Sequence, residues 1–188
     1  MKMDEILDLA KKVYFLETLQ RFNDIPRVKN ESVAEHCYLV VLFTRMLYQV
    51  FMQKLSLNLQ KMIDMAIIHD LAEVNLGDTS HRVKKLNPDL EATLNKIEVA
   101  ELKNLLKDDY FVDCLREFNS QETFESKIVK LADILSVIVY AQNTLNLGNM
   151  NMLNILKGAV KRANQLLEEL HETYRFDFID CTVPLEVE

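Results

Sequence analysis

The chain has 188 residues, 49% of them hydrophobic, with only 3 Gly and 3 Pro and a formal net charge of −7. That length holds one domain with a substantial core, and the shortage of breakers favours long helices over many turns. The acidic balance excludes a general attraction to nucleic-acid backbone or an anionic membrane surface, and three scattered cysteines, Cys37, Cys114 and Cys181, exclude a disulfide framework or a thiolate zinc knuckle.

In chain order, Ile6, Leu9, Ala10, Val13, Leu16 and Leu19 recur every three or four positions and predict an amphipathic first helix with Asp4 as its cap. Residues 22–30, interrupted by Pro26, read as a loop. Ser32-Val33-Ala34-Glu35 is a capping box that starts a second helix, running to about Phe51 and carrying His36 in its first turn. Ser56 or Asn58 starts a third, with Gly77 as its stop. Asn87-Pro88 caps a helix that reaches about Leu106, and a short helical piece follows over about 110–118. Ser120 opens a long helix through Ile128, Leu131, Leu135 and Ile138 to about Leu147, closed by Gly148, and a last helix covers about 152–174.

No strand alternation, internal repeat or low-complexity stretch interrupts this pattern, so the fold class is all-α. Residues 134–156 carry no charge, but Asn143, Asn146, Asn149, Asn151 and Asn154 fit a bundle helix better than a membrane span. Residues 1–5 lack the apolar run of a secretory signal, which with the reduced thiols predicts a cytoplasmic protein.

His69 and Asp70 sit side by side in the apolar run from Met62 to Ala72, where burial without a partner would be costly. His36 and Asp133 are similarly placed on two other helices. Taken singly, each has a plain reading: His36 as a satisfied helix-start residue, His69 with Asp70 as a buried pair, Asp133 as the partner of Lys130 or Lys127. Read jointly, two imidazoles and two carboxylates form a mixed nitrogen and oxygen site. That donor set suits one divalent transition ion (Mn, Fe, Co, Ni or Zn) better than Ca or Mg.

The segments Glu31-Ser32-Val33-Ala34-Glu35-His36, His69-Asp70-Leu71-Ala72-Glu73-Val74 leading on to Gly77-Asp78, and Lys127-Ile128-Val129-Lys130-Leu131-Ala132-Asp133 resemble the HD-domain metal-dependent phosphohydrolases. The finer likeness is to the YfbR-like 5′-deoxynucleotidases, over about residues 5–165. The resemblance implies a single HD-domain bundle of six or seven helices over residues 1–175, with a central metal site and a tail at 176–188. It implies His36, His69, Asp70 and Asp133 as metal ligands, Glu73 as the group handling water and leaving-group protons, Arg21 on the phosphate and Asp78 on the sugar.

Lys84 and Lys130 read as solvated lysines, and His81 and His171 as surface residues. Two places depart from the family pattern: Phe22 stands where a Trp is expected, and Thr79-Ser80-His81-Arg82 replaces a Pro-containing loop. Both bear on the nucleoside, so sugar and base preference stay open. The expected activity is release of phosphate from a nucleoside 5′-monophosphate by a homodimer, acting on a small molecule and on neither nucleic acid nor membrane. Another nucleotide substrate, or a metal-bound sensor without turnover, are the rival readings; Glu73, Asp78 and Arg21 all being present counts against the sensor.

Overall fold

A computed structural model describes residues 2–78 and 87–170. Among them lie eight α-helices and no strand: α1 Met3–Val13, α2 Val33–Phe51, α3 Leu59–Ile68, α4 Glu73–Leu76, α5 Pro88–Leu106, α6 Asp109–Ser120, α7 Phe124–Asn146 and α8 Leu153–Glu169. Seven of these have ten residues or more, and α4 is a single turn. The Thr79–Arg82 stretch, Lys84, His171, Cys181 and the 176–188 tail lie outside the described residues.

The centre of the bundle is α7. It packs most extensively against α2 and α8 and also meets α3 and α6. By length and composition it would pass for a membrane span, but 50% of its most apolar window is buried inside the bundle. Ile128, Val129, Leu131 and Ala132 of α7 share one core with Val33, Val40 and Phe51 of α2, Met62, Met65 and Ile68 of α3, Leu115 of α6 and Ala163 of α8. Each fully buried large side chain of this set contributes on the order of 1.5–3 kcal/mol.

Three boundaries differ from the sequence expectation, each for a local reason. The first helix stops at Val13 and tightens into a 3-10 turn over Tyr14–Glu17, and its cap is Lys2, whose N–H donates to the Glu5 carboxylate at 2.7 Å. Asp4 therefore lies within the first turn, favourably placed at the positive helix end. The third helix ends at Ile68 rather than at Gly77, because the chain winds on in i→i+3 bonds: Leu71 N–H to the Ile68 carbonyl at 3.0 Å and Glu73 N–H to that of Asp70 at 3.1 Å. Ser120 ends α6, and it is Thr123 that caps α7, exchanging hydrogen bonds with Ser126.

The second helix follows its capping box as read. Glu35 N–H donates to Ser32 Oγ at 3.2 Å, while Ser32 N–H donates to Glu35 Oε2 at 2.7 Å. This cap sets where His36 sits. Replacing Ser32 with Ala is expected to lower unfolding free energy by about 1 kcal/mol in denaturant titration.

Candidate metal centre

Three helices and one turn bring the four expected ligands together. His36 is fully buried in the first turn of α2, His69 is the C-terminal cap of α3, Asp70 follows it in the turn, and Asp133 lies just before the midpoint of α7. His36 Nε2 is 3.2 Å from His69 Nε2, 3.4 Å from Asp70 Oδ2 and 3.4 Å from Asp133 Oδ1, and His69 Nε2 is 3.2 Å from Asp70 Oδ2. Donor atoms around one ion at bond lengths of about 2.0–2.2 Å stand roughly 3.0–3.4 Å apart, so this spacing suits a single transition ion.

The outward nitrogens are already engaged. His69 Nδ1 donates to the Ala66 carbonyl at 2.9 Å, which in the neutral ring leaves a lone pair on Nε2, facing the cluster. His36 Nδ1 lies 2.5 Å from Ser136 Oγ, a fully buried hydroxyl three residues after Asp133 on α7. Such second contacts orient metal-binding imidazoles and set their tautomers. Asp133 is held likewise: Lys130 Nζ donates to Oδ2 at 2.8 Å and stands 5.4 Å from the Phe118 ring centre, leaving Oδ1 towards His36.

Burial works against charge on His69, but Asp70 beside it, with Asp133 further off, lifts the imidazole above its ordinary value. Burial would push Asp70 up, and His69 and His36 hold it well below the usual carboxylate range. Asp133 is likewise held well below that range against its burial, by Lys130 first and then by the two imidazoles.

Glu73 is buried at the start of α4, four residues beyond His69. Asp78 is half-buried one residue past Gly77, whose φ of +75° turns the chain out of α4 in a conformation that favours glycine. Arg21 is half-buried and donates from Nη1 to Glu31 Oε2 at 2.8 Å. Burial opposes its charge, and Glu31, with Asp70, Asp133 and Asp78 after it, raises it above its ordinary value. Phe22 has a left-handed φ of +57° and stacks on Tyr140 at 5.1 Å with the rings 2° from parallel.

Sequence reasoning missed two participants. Ser136 and Glu31 are polar groups whose partners lie far off in sequence or face inward from a loop, and no spacing rule marks them. Lys130 pairs with Asp133, the contact that the plain reading of Asp133 offered, and so is not simply solvated. The thiol of Cys37, next to His36, comes within 4.8 Å of ligand atoms of His69 and Asp70, and burial, then the charges of Asp70 and Glu73, push it well above its ordinary value.

A family model described as HD domain matches residues 16–173. Among curated proteins, the chain is 27% identical to the 5′-deoxynucleotidase of Vibrio cholerae, covering 90% of this chain and 89% of that protein. It is 29% identical to the one of Pasteurella multocida, covering 90% and 88%. Among solved structures, a conserved hypothetical protein from Pyrococcus furiosus aligns with a TM-score of 0.70 at 26% identity, covering 87% of this chain and 95% of that one. The HD phosphohydrolase of cyanophage S-2L, bound to dA and one catalytic Zn2+ ion, shares the fold with a TM-score of 0.63 at 16% identity, covering 85% and 84%.

The raised His69 has a consequence for protein stripped of metal. Its protonated form contributes stability that is fully present below the unfolded value of about 6.5 and is lost as pH rises through the folded value. The depressed Asp70 and Asp133 act oppositely, losing their contribution only as pH falls through their low folded values. Chelator-treated protein should therefore melt at lower temperature as pH is raised from about 6 to about 9. Asp70→Asn should flatten that slope.

Proposed function

Because this chain belongs to the HD domain family, we infer that it is a metal-dependent phosphohydrolase releasing phosphate from nucleoside 5′-monophosphates, deoxynucleotides foremost. The observation that carries the reading is the convergence of His36, His69, Asp70 and Asp133 with a half-buried arginine in their field. The names of the curated relatives supply the substrate class.

A divalent ion (Mn, Co, Fe, Ni or Zn) held by those four residues would supply an acidified water and positive charge against the phosphate oxygens. The residues do the rest. His36 and His69, each fixed at Nδ1, keep their Nε2 atoms directed inward. Arg21 offers its remaining guanidinium N–H groups to the phosphate oxygens. Glu73 takes a proton from the attacking water and returns it to the departing 5′ oxygen. Asp78 accepts a hydrogen bond from the sugar hydroxyl.

The same reading places the enzyme in the cytoplasm as a homodimer that engages neither nucleic acid nor membrane. Its support is an exposed apolar strip on α2, Tyr38, Leu42 and Met46, with Val139, Leu147 and Met150 exposed in the charge-free 134–156 region. Light scattering at micromolar concentration should return twice the chain mass; the mass of one chain would remove the dimer.

The central test uses stripped protein, a panel of nucleoside 5′-monophosphates and added Mn, Co, Zn or Mg, with released phosphate as readout. Release should require metal and vanish in His69→Ala. Glu73→Gln should keep its metal content and lose about 10²–10⁴-fold in kcat. No release across the panel from metal-loaded protein would sink the nucleotidase reading.

A further inference from the structure

The segment joining the 3-10 turn to α2 is closed on itself. Gln20 and Ser32 form an antiparallel bridge, Arg21 N–H donates to the Glu31 carbonyl at 2.9 Å, and Val33 N–H donates to the Leu19 carbonyl at 2.9 Å. Arg27 Nη1 donates to the Arg21 carbonyl at 2.9 Å, and the Arg21 guanidinium lies 5.1 Å from the Phe22 ring centre. These contacts, with the Tyr140 hydroxyl donating to the Lys29 carbonyl at 2.6 Å and Asn149 Nδ2 to the Pro26 carbonyl at 3.2 Å, hold the loop together without the Glu31 side chain. The Glu31 side chain, only 6% exposed, is committed instead to the guanidinium.

Two facts give that contact a role beyond packing. Glu31 immediately precedes Ser32, the cap of the helix that carries His36, so a group gripped by Glu31 is indexed to the candidate metal centre. Arg21 also sits in the field of Asp70, Asp133 and Asp78. A guanidinium released from Glu31 would be drawn towards those carboxylates, away from the phosphate position and in competition with the ion for its ligands.

We propose that Glu31 is a positioning residue: its carboxylate holds Arg21 off the Asp70 and Asp133 carboxylates and aimed at the phosphate of the substrate. The guanidinium is planar and rigid, so fixing Nη1 at Glu31 Oε2 fixes the directions of its other N–H groups. The proposal rests on the reading of Arg21 as the phosphate-holding group.

The test measures two equilibria, inhibition by inorganic phosphate and Co2+ affinity, in Glu31→Gln, Arg21→Ala and the double variant, with melting midpoint as a check on folding. Glu31→Gln should weaken phosphate inhibition about tenfold and Co2+ binding about fivefold. In the double variant Co2+ affinity should recover, because no guanidinium remains to occupy the carboxylates. Glu31→Asp keeps the charge but draws it back by one methylene, and should show the same pattern to a smaller extent even if the Gln variant does not fold. Unchanged phosphate inhibition in folded Glu31 variants, or an equal loss with Arg21 already removed, overturns the proposal while leaving Arg21 its role. If Arg21→Ala itself leaves phosphate inhibition intact, the phosphate role of Arg21 falls and takes this proposal with it.

Discussion

Two imidazole nitrogens facing each other at 3.2 Å, with carboxylate oxygens 3.2 to 3.4 Å from them, are an accumulation of lone pairs inside an apolar core. Unpaired, such groups would each cost several kcal/mol to bury. Positive charge must stand among them, as a proton shared with His69 or as a metal ion. The rest of the bundle is arranged around that requirement: α2, α7 and the end of α3 meet where their polar residues can share one cation, and Met62, Met65, Ile128 and Leu131 belong to the core that α3 and α7 share.

The same logic governs the shell around the centre. In three of the four side chains the outward-facing atom is occupied, which leaves the inward-facing atom to the cluster. His69 gives Nδ1 to the Ala66 carbonyl, and His36 turns Nδ1 to Ser136. Asp133 gives Oδ2 to Lys130 and keeps Oδ1 inward. Arg21 follows the pattern with the charges reversed, one N–H edge spent on Glu31. Charge placed this way needs little rearrangement when a ligand arrives, which is the condition for electrostatic stabilisation of a reacting phosphate.

Much of this is legible in the sequence, and the remainder fails for identifiable reasons. The Ser32–Glu35 capping box fixes the start of α2 and so the place of His36, and Asn87-Pro88 does the same for α5, because caps are local devices. The apolar runs around His69 and Asp133 announce that polar groups there need partners. The end of α3 is invisible because the run from Met62 to Ala72 contains no breaker; the chain tightens there without changing composition. The first helix is periodic yet buries none of its residues fully, since amphipathic spacing reports what could be buried and not whether a neighbour is present. Ser136 and Glu31 escape notice because their partners lie 100 and 10 residues away and only the fold brings them together.

The early end of α3 also bears on the field at the site. Helix ends carry roughly half an elementary charge, negative at the C-terminus and positive at the N-terminus. His69 caps the C-terminus of α3, so a cation beside it gains from that end, and a helix continued to Gly77 would have carried the negative pole away from the centre. His36 stands instead in the first turn of α2, whose positive pole lies next to Glu31 and Arg21. The end of α3 thus favours a metal ion, and Arg21 beside the α2 cap supplies the positive charge for an anion. Those are the two charges that a metal-assisted attack on a phosphate monoester brings together.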